Sequence, residues 1–489
     1  MLIPRHIFRE YDIRGVAERD LSDDLARAIG AAFPLALRKA GDSGPAGGRL
    51  RVAVGRDGRL SSDRLFAALT AGLREAGADV ISIGVGPSPL LYFAAHHLGT
   101  DGAVMITASH NPAPDNGFKM MRGKASFFGA DIQRLADLIE DGAAHREPAA
   151  APGGFEEVDL TAAYIDAVRA SSRLDRTDVR FVVDAGNGAA GPLGLRALRA
   201  LGFDPDPLFC EMDGRFPNHH PDPTVLENLE ALRARVLDTG AALGIAWDGD
   251  GDRIGVIDDR GEVIWGDRLL VLFARTLLAE RPGAAILGEV KCSEVLYADI
   301  AARGGRPILW KTGHSLIKTK MKEEGALLAG EMSGHMFFAD RWPGFDDAVY
   351  AAVRLLEIVT REGRPVRELL ADLPETFATP EIRVECPDAV KFEVVRRVTD
   401  HYRRSHRGVG GAAGLAPAEP PSAYKIIDID GARVDFGDGA WGLCRASNTG
   451  PVLVLRFEAR SPERRDAVRA EVEAVVAAAL EGALADRGP

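Results

Sequence analysis

Apolar runs and amphipathic stretches alternate along the first part of the chain. Asp101-Gly-Ala-Val-Met-Ile-Thr107 is a short apolar run bounded by turn residues, the pattern of a strand buried on both faces. Leu50 to Gly55 and Val80 to Val85 read as further strands. From about Ser62, residues Leu65, Phe66, Leu69 and Leu73 share one helical face. Further helices are predicted near Pro89 to Leu98 and over Gly129 to Asp141. This βαβαβ alternation implies a mainly parallel sheet. Ahead of it, Phe8-Arg-Glu-Tyr-Asp-Ile-Arg-Gly15 mixes aromatic and charged residues in neither period and reads as a loop returning to a site.

The alternation then repeats. An Ala/Pro/Gly-rich stretch from Ala143 to Gly154 reads as a linker. Beyond it, the strand Arg180 to Asp184 runs through Gly186-Asn-Gly188-Ala-Ala-Gly191 into a helix, and Ala242 to Trp247 is a later strand. A third unit is read from Arg253 onward, with strands at Ile254 to Ile257, Ala285 to Leu287, Pro307 to Trp310 and Ala326 to Ala329. Each unit delivers a polar loop after a strand, which suggests a diverged repeat. Beyond about Leu373 the pattern changes to strands at Ile382 to Glu385, Lys425 to Ile429, Ala432 to Phe436 and Val452 to Phe457. Two long helices accompany them, the last opening Ser461-Pro-Glu, which predicts an α+β domain. Gly408 to Pro421, full of Gly, Ala and Pro, reads as an excursion from it. The expected organisation is three α/β domains over residues 1–150, 151–253 and 254–372, and an α+β domain over 373–489.

Composition narrows the function classes. A chain of 489 residues has room for about three or four domains. With 46% hydrophobic and 27% charged residues it is an ordinary globular protein, and no apolar run reaches membrane-spanning length. The net charge of -12 argues against nucleic acid or an anionic membrane as partner, so a phosphorylated ligand needs a local basic site. Cys210, Cys292, Cys386 and Cys444 lie far apart, with no zinc or disulfide pattern. Reduced thiols and the early charges after Met1-Leu-Ile-Pro fit a cytoplasmic protein without a signal peptide.

Four loops carry candidate chemistry. Thr107-Ala-Ser-His-Asn-Pro112 lifts Ser109 to the end of a buried strand, where open α/β sheets place ligands; its plain alternative is a turn serine. Asp248-Gly-Asp-Gly-Asp252-Arg253 puts three carboxylates on alternate residues, so they converge and need a cation. Hard oxygen ligands in an open turn suit Mg²⁺, and Arg253 stands where an EF-hand needs glycine. Gly330-Glu-Met-Ser-Gly-His335 gathers groups that suit sugar hydroxyls. Arg445-Ala-Ser-Asn-Thr-Gly-Pro451 forms an anion nest, the competing account being a surface turn. Arg14, Lys119, Lys291 and His314 are further polar residues at strand or loop ends. Ser109 and His110 are sequence neighbours, which disfavours a hydrolase relay, and no G-x-S-x-G occurs. His219 and His220 lack ligand spacing and are read as loop residues. The Gly186 loop formally matches a dinucleotide fingerprint, but Asp204 and Asp206 flank prolines where the ribose carboxylate should end a strand.

Taken in order, these four loops, with Tyr11-Asp-Ile-Arg-Gly15 at the start, resemble the α-D-phosphohexomutase superfamily, and most of all its phosphomannomutase/phosphoglucomutase members. The resemblance covers nearly the whole chain. It implies three related α/β domains with mixed, mainly parallel sheets and a C-terminal α+β domain, TATA-binding-protein-like, around one cleft. It further implies a phosphoserine at Ser109, and Mg²⁺ held by Asp248, Asp250 and Asp252 with Ser109. Glu331 and Ser333 would bind sugar hydroxyls, and Arg445, Ser447, Asn448 and Thr449 the substrate phosphate. Tyr11, His110, Arg253, Lys291 and His314 match further substrate contacts, and Lys119, Arg14 and His335 are the acid/base candidates. The implied reaction interconverts hexose 1- and 6-phosphates of mannose or glucose, with hexose 1,6-bisphosphate as intermediate and activator. A hinged fourth domain would let that intermediate turn. The implied partner is a phosphosugar, bound by a monomer, with a dimer as the alternative. Ala113-Pro-Asp-Asn116 departs from the family's pattern, which places an aromatic residue after the serine loop. The rivals are phosphoglucosamine mutase, against which Met332 stands where that branch has glutamine, an NAD-dependent oxidoreductase, and a metal-dependent phosphatase.

Overall fold

The computed structural model describes residues 2–39, 48–142, 149–406 and 424–486. Half of the predicted linker (143–148) and the excursion 408–421 lie outside these. The chain forms two compact units. One comprises Met1–Leu287, Arg303–Arg306 and Gly313–Ala371, the other Gly288–Ala302, Pro307–Thr312 and Asp372–Pro489. No helix among the described residues is long and apolar enough to cross a membrane.

In the first unit the strands are β1 (Ile13–Val16), β2 (Arg51–Arg56), β3 (Asp79–Val85), β4 (Gly102–Ile106), β5 (Asp115–Arg122), β6 (Ala125–Phe127) and β7 (Phe155–Glu157). Their order is β1-β5-β4-β2-β3-β7, with β6 on β5. The pairs β2/β3, β2/β4 and β3/β7 are parallel, and every residue of β4 is buried, as its continuous apolar run requires. Two strands depart from expectation. Ile13 to Gly15, read as loop, pair antiparallel with β5, while β5 itself follows Pro112 and Pro114 closely enough to pass for loop. The helix Asp23–Lys39 was also missed, because Gly30 and Pro34 interrupt its pattern. Gly30 is required there. A Cβ would lie 2.1 Å from the carbonyl oxygen of Leu69, on the helix Ser62–Glu75, and one at Gly72 would lie 2.0 Å from that of Arg27.

A second sheet orders β8 (Phe181–Asp184), β9 (Asp206–Leu208), β10 (Leu243–Trp247), β11 (Ile254–Asp258) and β12 (Val263–Ile264) as β12-β11-β10-β8-β9. Here Ile254 to Ile257 needs correction, since these residues close the second sheet and do not open a third. The acidic loop from Asp248 is a tight reversal, with Gly251 at φ +77°, so β11 returns antiparallel along β10 and pairs Trp247 with Ile254. A third sheet, of β13 (Ala285–Glu289), β14 (Arg306–Trp310), β15 (Leu328–Gly330) and β16 (Met336–Phe338), runs β14-β13-β15-β16.

The second unit holds an antiparallel sheet of β17 (Phe377–Ala378), β18 (Ile382–Glu385), β19 (Lys425–Ile427), β20 (Ala432–Asp435), β21 (Trp441–Ala446) and β22 (Val452–Ala459). Its order is β17-β22-β21-β20-β19, with β18 also on β22. Val394, Val398 and Tyr402 of the helix Lys391–His406 join Val468, Val472 and Val476 of the helix Pro462–Ala485 in one apolar core with the sheet. The last helix starts as its sequence predicts, Ser461 accepting from the backbone N–H of Arg464 with proline following. The fold is thus three α/β domains with mixed, mainly parallel sheets and a C-terminal antiparallel-sheet domain.

One buried cap in the first unit makes stability depend on pH. Asp347 accepts from the N–H of Tyr350 at 2.9 Å, at the start of the helix Ala348–Glu362, and the hydroxyl of Tyr164 donates to it. Burial pushes its carboxyl up to about 7 despite these bonds. The folded value lies above the unfolded one, so this group's contribution is full at acid pH and is lost as pH rises through the folded value. Asp347→Asn, which keeps a capping oxygen, should therefore gain in melting temperature relative to the parent between about pH 5 and about pH 8. A pH-independent difference would contradict this account.

Candidate active site

Ser109 stands just past β4 in a loop shaped by local bonds. Its N–H donates to Thr107 Oγ1 at 2.9 Å, and its own φ is +51°, an uncommon left-handed position for a non-glycine residue. A single buried guanidinium holds the rest. Arg59 donates to the carbonyl oxygens of Ser109, Asn111 and Pro112, each at 2.7 Å, and of Asp115 at 2.9 Å, while its Nε faces Asp57 at 3.2 Å. Arg14 adds bonds to the Ala108 carbonyl (3.2 Å) and Asn111 Oδ1 (2.9 Å) and is itself steered by Asp12 at 2.8 Å. Arg59 fixes the loop that the Ala113-Pro-Asp-Asn116 departure affects, and no motif points to it because its targets are backbone carbonyls.

Against this loop lies the acidic hairpin. Gly249 is so close that a Cβ would sit 2.3 Å from the Ser109 carbonyl oxygen. Ser109 Oγ donates to Asp248 Oδ2 at 2.8 Å. Asp248, Asp250 and Asp252 are wholly buried, with ligand oxygens within 4.8 Å of one another. Three helix starts support them. The carbonyl oxygens of Gly249, Asp250 and Gly251 accept in turn from the N–H groups of Ala189, Ser88 and Ala348, which open the helices Ala190–Ala200, Ser88–Leu98 and Ala348–Glu362. Positive helix ends thus converge on negative side chains.

This charge is only partly matched. Lys119, carried inward by β5, places Nζ 2.6 Å from both Asp250 and Asp252. Burial would lower its pKa, but those two carboxylates outweigh that and raise it. Burial also raises Asp248 well above the carboxylate range, reinforced by Asp252 and Asp250. Asp252 is lowered, because Lys119 and His335 overcome its burial. Asp250 Oδ1 and Asp252 Oδ1 have no hydrogen-bond partner among the described residues. Converging hard oxygens with two orphaned buried atoms fit a divalent cation.

One exclusion stands on a different ground. Ser109 Oγ and His110 Nδ1 do meet, at 3.1 Å, because the left-handed turn at Ser109 folds the hydroxyl back toward its neighbour. The pair is still no hydrolase relay. Asp248 approaches the same ring nitrogen, at 3.9 Å, whereas a relay places serine and carboxylate on opposite nitrogens. Burial holds His110 well below its usual pKa, hence neutral.

The third loop joins the same unit through Arg253, whose Nε donates to His335 Nε2 at 2.9 Å. His335 stacks on His314 with centroids 5.6 Å apart, and His314 meets Tyr11 edge-on at 5.8 Å. Glu331 accepts from the N–H of Gly313 at 2.9 Å and from Ser333 Oγ at 3.0 Å. Every predicted site residue of the first unit is therefore linked to one constellation.

The second unit gathers Lys291, Arg445, Ser447, Asn448 and Thr449. Arg445, on β21, pairs through Nε with Asp430 at 3.0 Å, and Lys291 meets Glu381 at 3.1 Å. Ser447 Oγ lies 3.3 Å from Thr449 Oγ1 and accepts from the Thr449 N–H at 3.2 Å. Lys391 ties the loop by donating to the carbonyls of Ser447 (2.6 Å) and Gly450 (3.1 Å). Asp430 and Lys391 were missed because a carboxylate across a turn and a lysine on carbonyls leave no sequence signature. The dinucleotide fingerprint also finds its explanation. Cβ atoms at Gly188 and Gly191 would lie 2.8 Å from the Gly249 carbonyl oxygen and 2.3 Å from that of Cys210, so these glycines admit protein backbone.

Comparison with known proteins gives four matches, all described as phosphoglucomutase/phosphomannomutase: alpha/beta/alpha domain I over residues 5–146, domain II over 162–261, domain III over 265–377 and the C-terminal domain over 381–475. The chain is similar to a phosphomannomutase/phosphoglucomutase of Pseudomonas aeruginosa, 44% identical over 96% of this chain and 94% of that one. It is also similar to a phosphoglucomutase of Neisseria gonorrhoeae, 43% identical over 97% of each. A crystal structure of a phosphoglucomutase/phosphomannomutase family protein from Burkholderia thailandensis covers 98% of both chains at a TM-score of 0.85 and 42% identity.

The Arg59 clamp is open to test. Arg59→Lys keeps the charge beside Asp57 but loses the fork that reaches four carbonyls. An ammonium that still faces Asp57 can reach two of the four carbonyls, so with about 0.5–1.5 kcal/mol net for each of the two lost bonds, urea unfolding should show a loss of roughly 1–3 kcal/mol. Amide exchange should rise within residues 109–115 and stay unchanged in the helix Pro462–Ala485. Unaltered exchange in the loop would show that Arg59 does not hold it.

Proposed function

We propose that this chain, which belongs to the phosphoglucomutase/phosphomannomutase family, interconverts hexose 1-phosphates and hexose 6-phosphates of mannose and glucose. It is an isomerase that acts by phosphoryl transfer through Ser109. The observation that carries the reading is the bond from Ser109 Oγ to Asp248, inside a buried cluster of carboxylates that calls for a cation.

As a phosphoserine, Ser109 loses the proton it gives Asp248, and its phosphoryl oxygens crowd a carboxylate. That arrangement needs positive charge. Asp248, Asp250, Asp252 and the phosphorylated Ser109 would hold Mg²⁺, which when bound supplies charge that offsets the phosphoryl oxygens. The chain adds Lys119, Arg14 and Arg253. Lys119, whose ammonium Asp250 and Asp252 hold in its charged form before a metal binds, serves as a charge stabiliser and hydrogen-bond donor. Arg14 is steered by Asp12 and bonded to the loop backbone, which suits a fixed cation beside the phosphoryl group.

In the first step O6 of a hexose 1-phosphate attacks the phosphorus on Ser109. The bond from phosphorus to Ser109 Oγ breaks, the O6 proton passes to a base, and hexose 1,6-bisphosphate results. His335 is the acid/base candidate for that proton: its Nε2 presents a lone pair that Arg253 Nε–H occupies and a substrate hydroxyl would have to claim by displacing it. After the bisphosphate turns end for end, Ser109 Oγ attacks its 1-phosphorus, the bond from phosphorus to O1 breaks, O1 takes back a proton from the acid/base group, and hexose 6-phosphate is released. Glu331 and Ser333 bind sugar hydroxyls, with Tyr11, His110, Lys291 and His314 as further substrate contacts. Arg445, Ser447, Asn448 and Thr449 bind the phosphate that is not being transferred.

Incubation of the purified protein with glucose 1,6-bisphosphate should add one phosphoryl group, read by intact mass and mapped to Ser109. Subsequent glucose 1-phosphate should be converted to glucose 6-phosphate, and mannose 1-phosphate to mannose 6-phosphate. Ser109→Ala should remain folded and lose nearly all turnover. Release of inorganic phosphate without isomerisation, or a phosphoryl group on another residue, would overturn the reading.

A further inference from the structure

Asp346 belongs to no loop that the motifs single out, yet it is wholly buried beside two of them. Its Oδ1 accepts from Lys318 Nζ at 2.9 Å. Its Oδ2 lies 3.2 Å from His335 Nδ1 and 3.5 Å from His314 Nδ1. All three of these atoms are buried and lack another hydrogen-bond partner among the described residues. Two imidazole nitrogens and one carboxylate oxygen, each otherwise orphaned, complement one another only if the nitrogens carry protons.

The opposite side of His335 gives an independent constraint. Arg253 Nε always carries hydrogen and donates to His335 Nε2, so that nitrogen must present a lone pair. The proton of the ring then sits on Nδ1, facing Asp346, with Asp252 Oδ1 next nearest at 3.6 Å. The same assignment argues against a metal ion at the grouping of Asp252, His335 and Asp346, because a ligating Nδ1 could not keep its proton. Stacking at 17° between the two imidazole planes fixes their common orientation toward Asp346.

We infer that Asp346 is a positioning residue that keeps the proton of His335, and of its stacked neighbour His314, on Nδ1, so that each Nε2 presents a lone pair; at His335 Arg253 occupies it, and a substrate hydroxyl reaches it by displacing that bond. Lys318 secures Asp346 from its other oxygen, and its ammonium lies 4.4 Å from the ring centroid of Tyr92, which fixes the lysine in turn. The inference rests on the proposed mutase reaction only for its kinetic consequence. An asparagine at 346 can offer His335 an N–H in place of an acceptor, which favours the wrong tautomer with little change of shape.

Two measurements test this. In Asp346→Asn, kcat with glucose 1-phosphate should fall by about a hundredfold or more while KM changes by less than about threefold, with the melting temperature near that of the parent. An unchanged kcat, or a loss confined to KM, overturns the inference. Nitrogen-15 histidine NMR of the unsubstituted protein needs no variant and no turnover. It should show His335 protonated on Nδ1 and unprotonated on Nε2, and it decides the matter if the variant misfolds. A protonated Nε2 in the free protein overturns the inference. Absence of mutase activity in the parent protein would instead sink the proposed function and leave the tautomer result standing.

Discussion

Three carboxylates without solvent contact, converging within one hairpin, set the terms for everything around them. Two unit charges about 4 Å apart repel by about 4 kcal/mol even at an effective dielectric constant near 20. The fold answers from several directions. Helix starts at Ala189, Ser88 and Ala348 aim their N–H groups at successive carbonyls of the hairpin, and β5 brings in Lys119. Burial and the two neighbouring carboxylates push Asp248 well above the usual carboxylate range, and added positive charge would oppose that shift. An antiparallel β5 within an otherwise parallel sheet makes sense in this light, because it carries Lys119 to the loop end of β4, where Ser109 stands.

Much of this was legible in the sequence. Continuous apolar runs located β2, β3, β4, β8 and β10, and the spacing of Asp248, Asp250 and Asp252 correctly implied convergence. What stayed hidden follows a physical pattern. The helix Asp23–Lys39 contains Gly30, which serves a helix crossing and not helix propensity, as well as Pro34, so the local signal contradicted the tertiary result. Strand β11 was assigned to the wrong sheet because a run of apolar residues does not say whether the preceding turn reverses the chain.

The candidate site shows the same division. The candidates Ser109, Glu331 and Arg445 were readable as candidates, because their neighbours in sequence mark each motif. Residues that hold those groups in place were not. Arg59 acts on carbonyls fifty positions away, and Asp346 collects Lys318 and His314 from the helix His314–Glu324 and His335 from a loop. Their side chains are ordinary until the fold assembles their partners. Sequence adjacency misled in the other direction for Ser109 and His110, where a single left-handed residue brings neighbours into contact.

The claim on which the account turns is that the hairpin carboxylates, and not the neighbouring group of Asp252, His335 and Asp346, are the cation site. Anomalous diffraction from crystals soaked in Mn²⁺ addresses it directly. The account predicts one strong peak within ligand distance of Asp248, Asp250 and Asp252, with Lys119 Nζ displaced from both of its aspartates. A peak between His335 and Asp346, or none near the hairpin at saturating Mn²⁺, would contradict it.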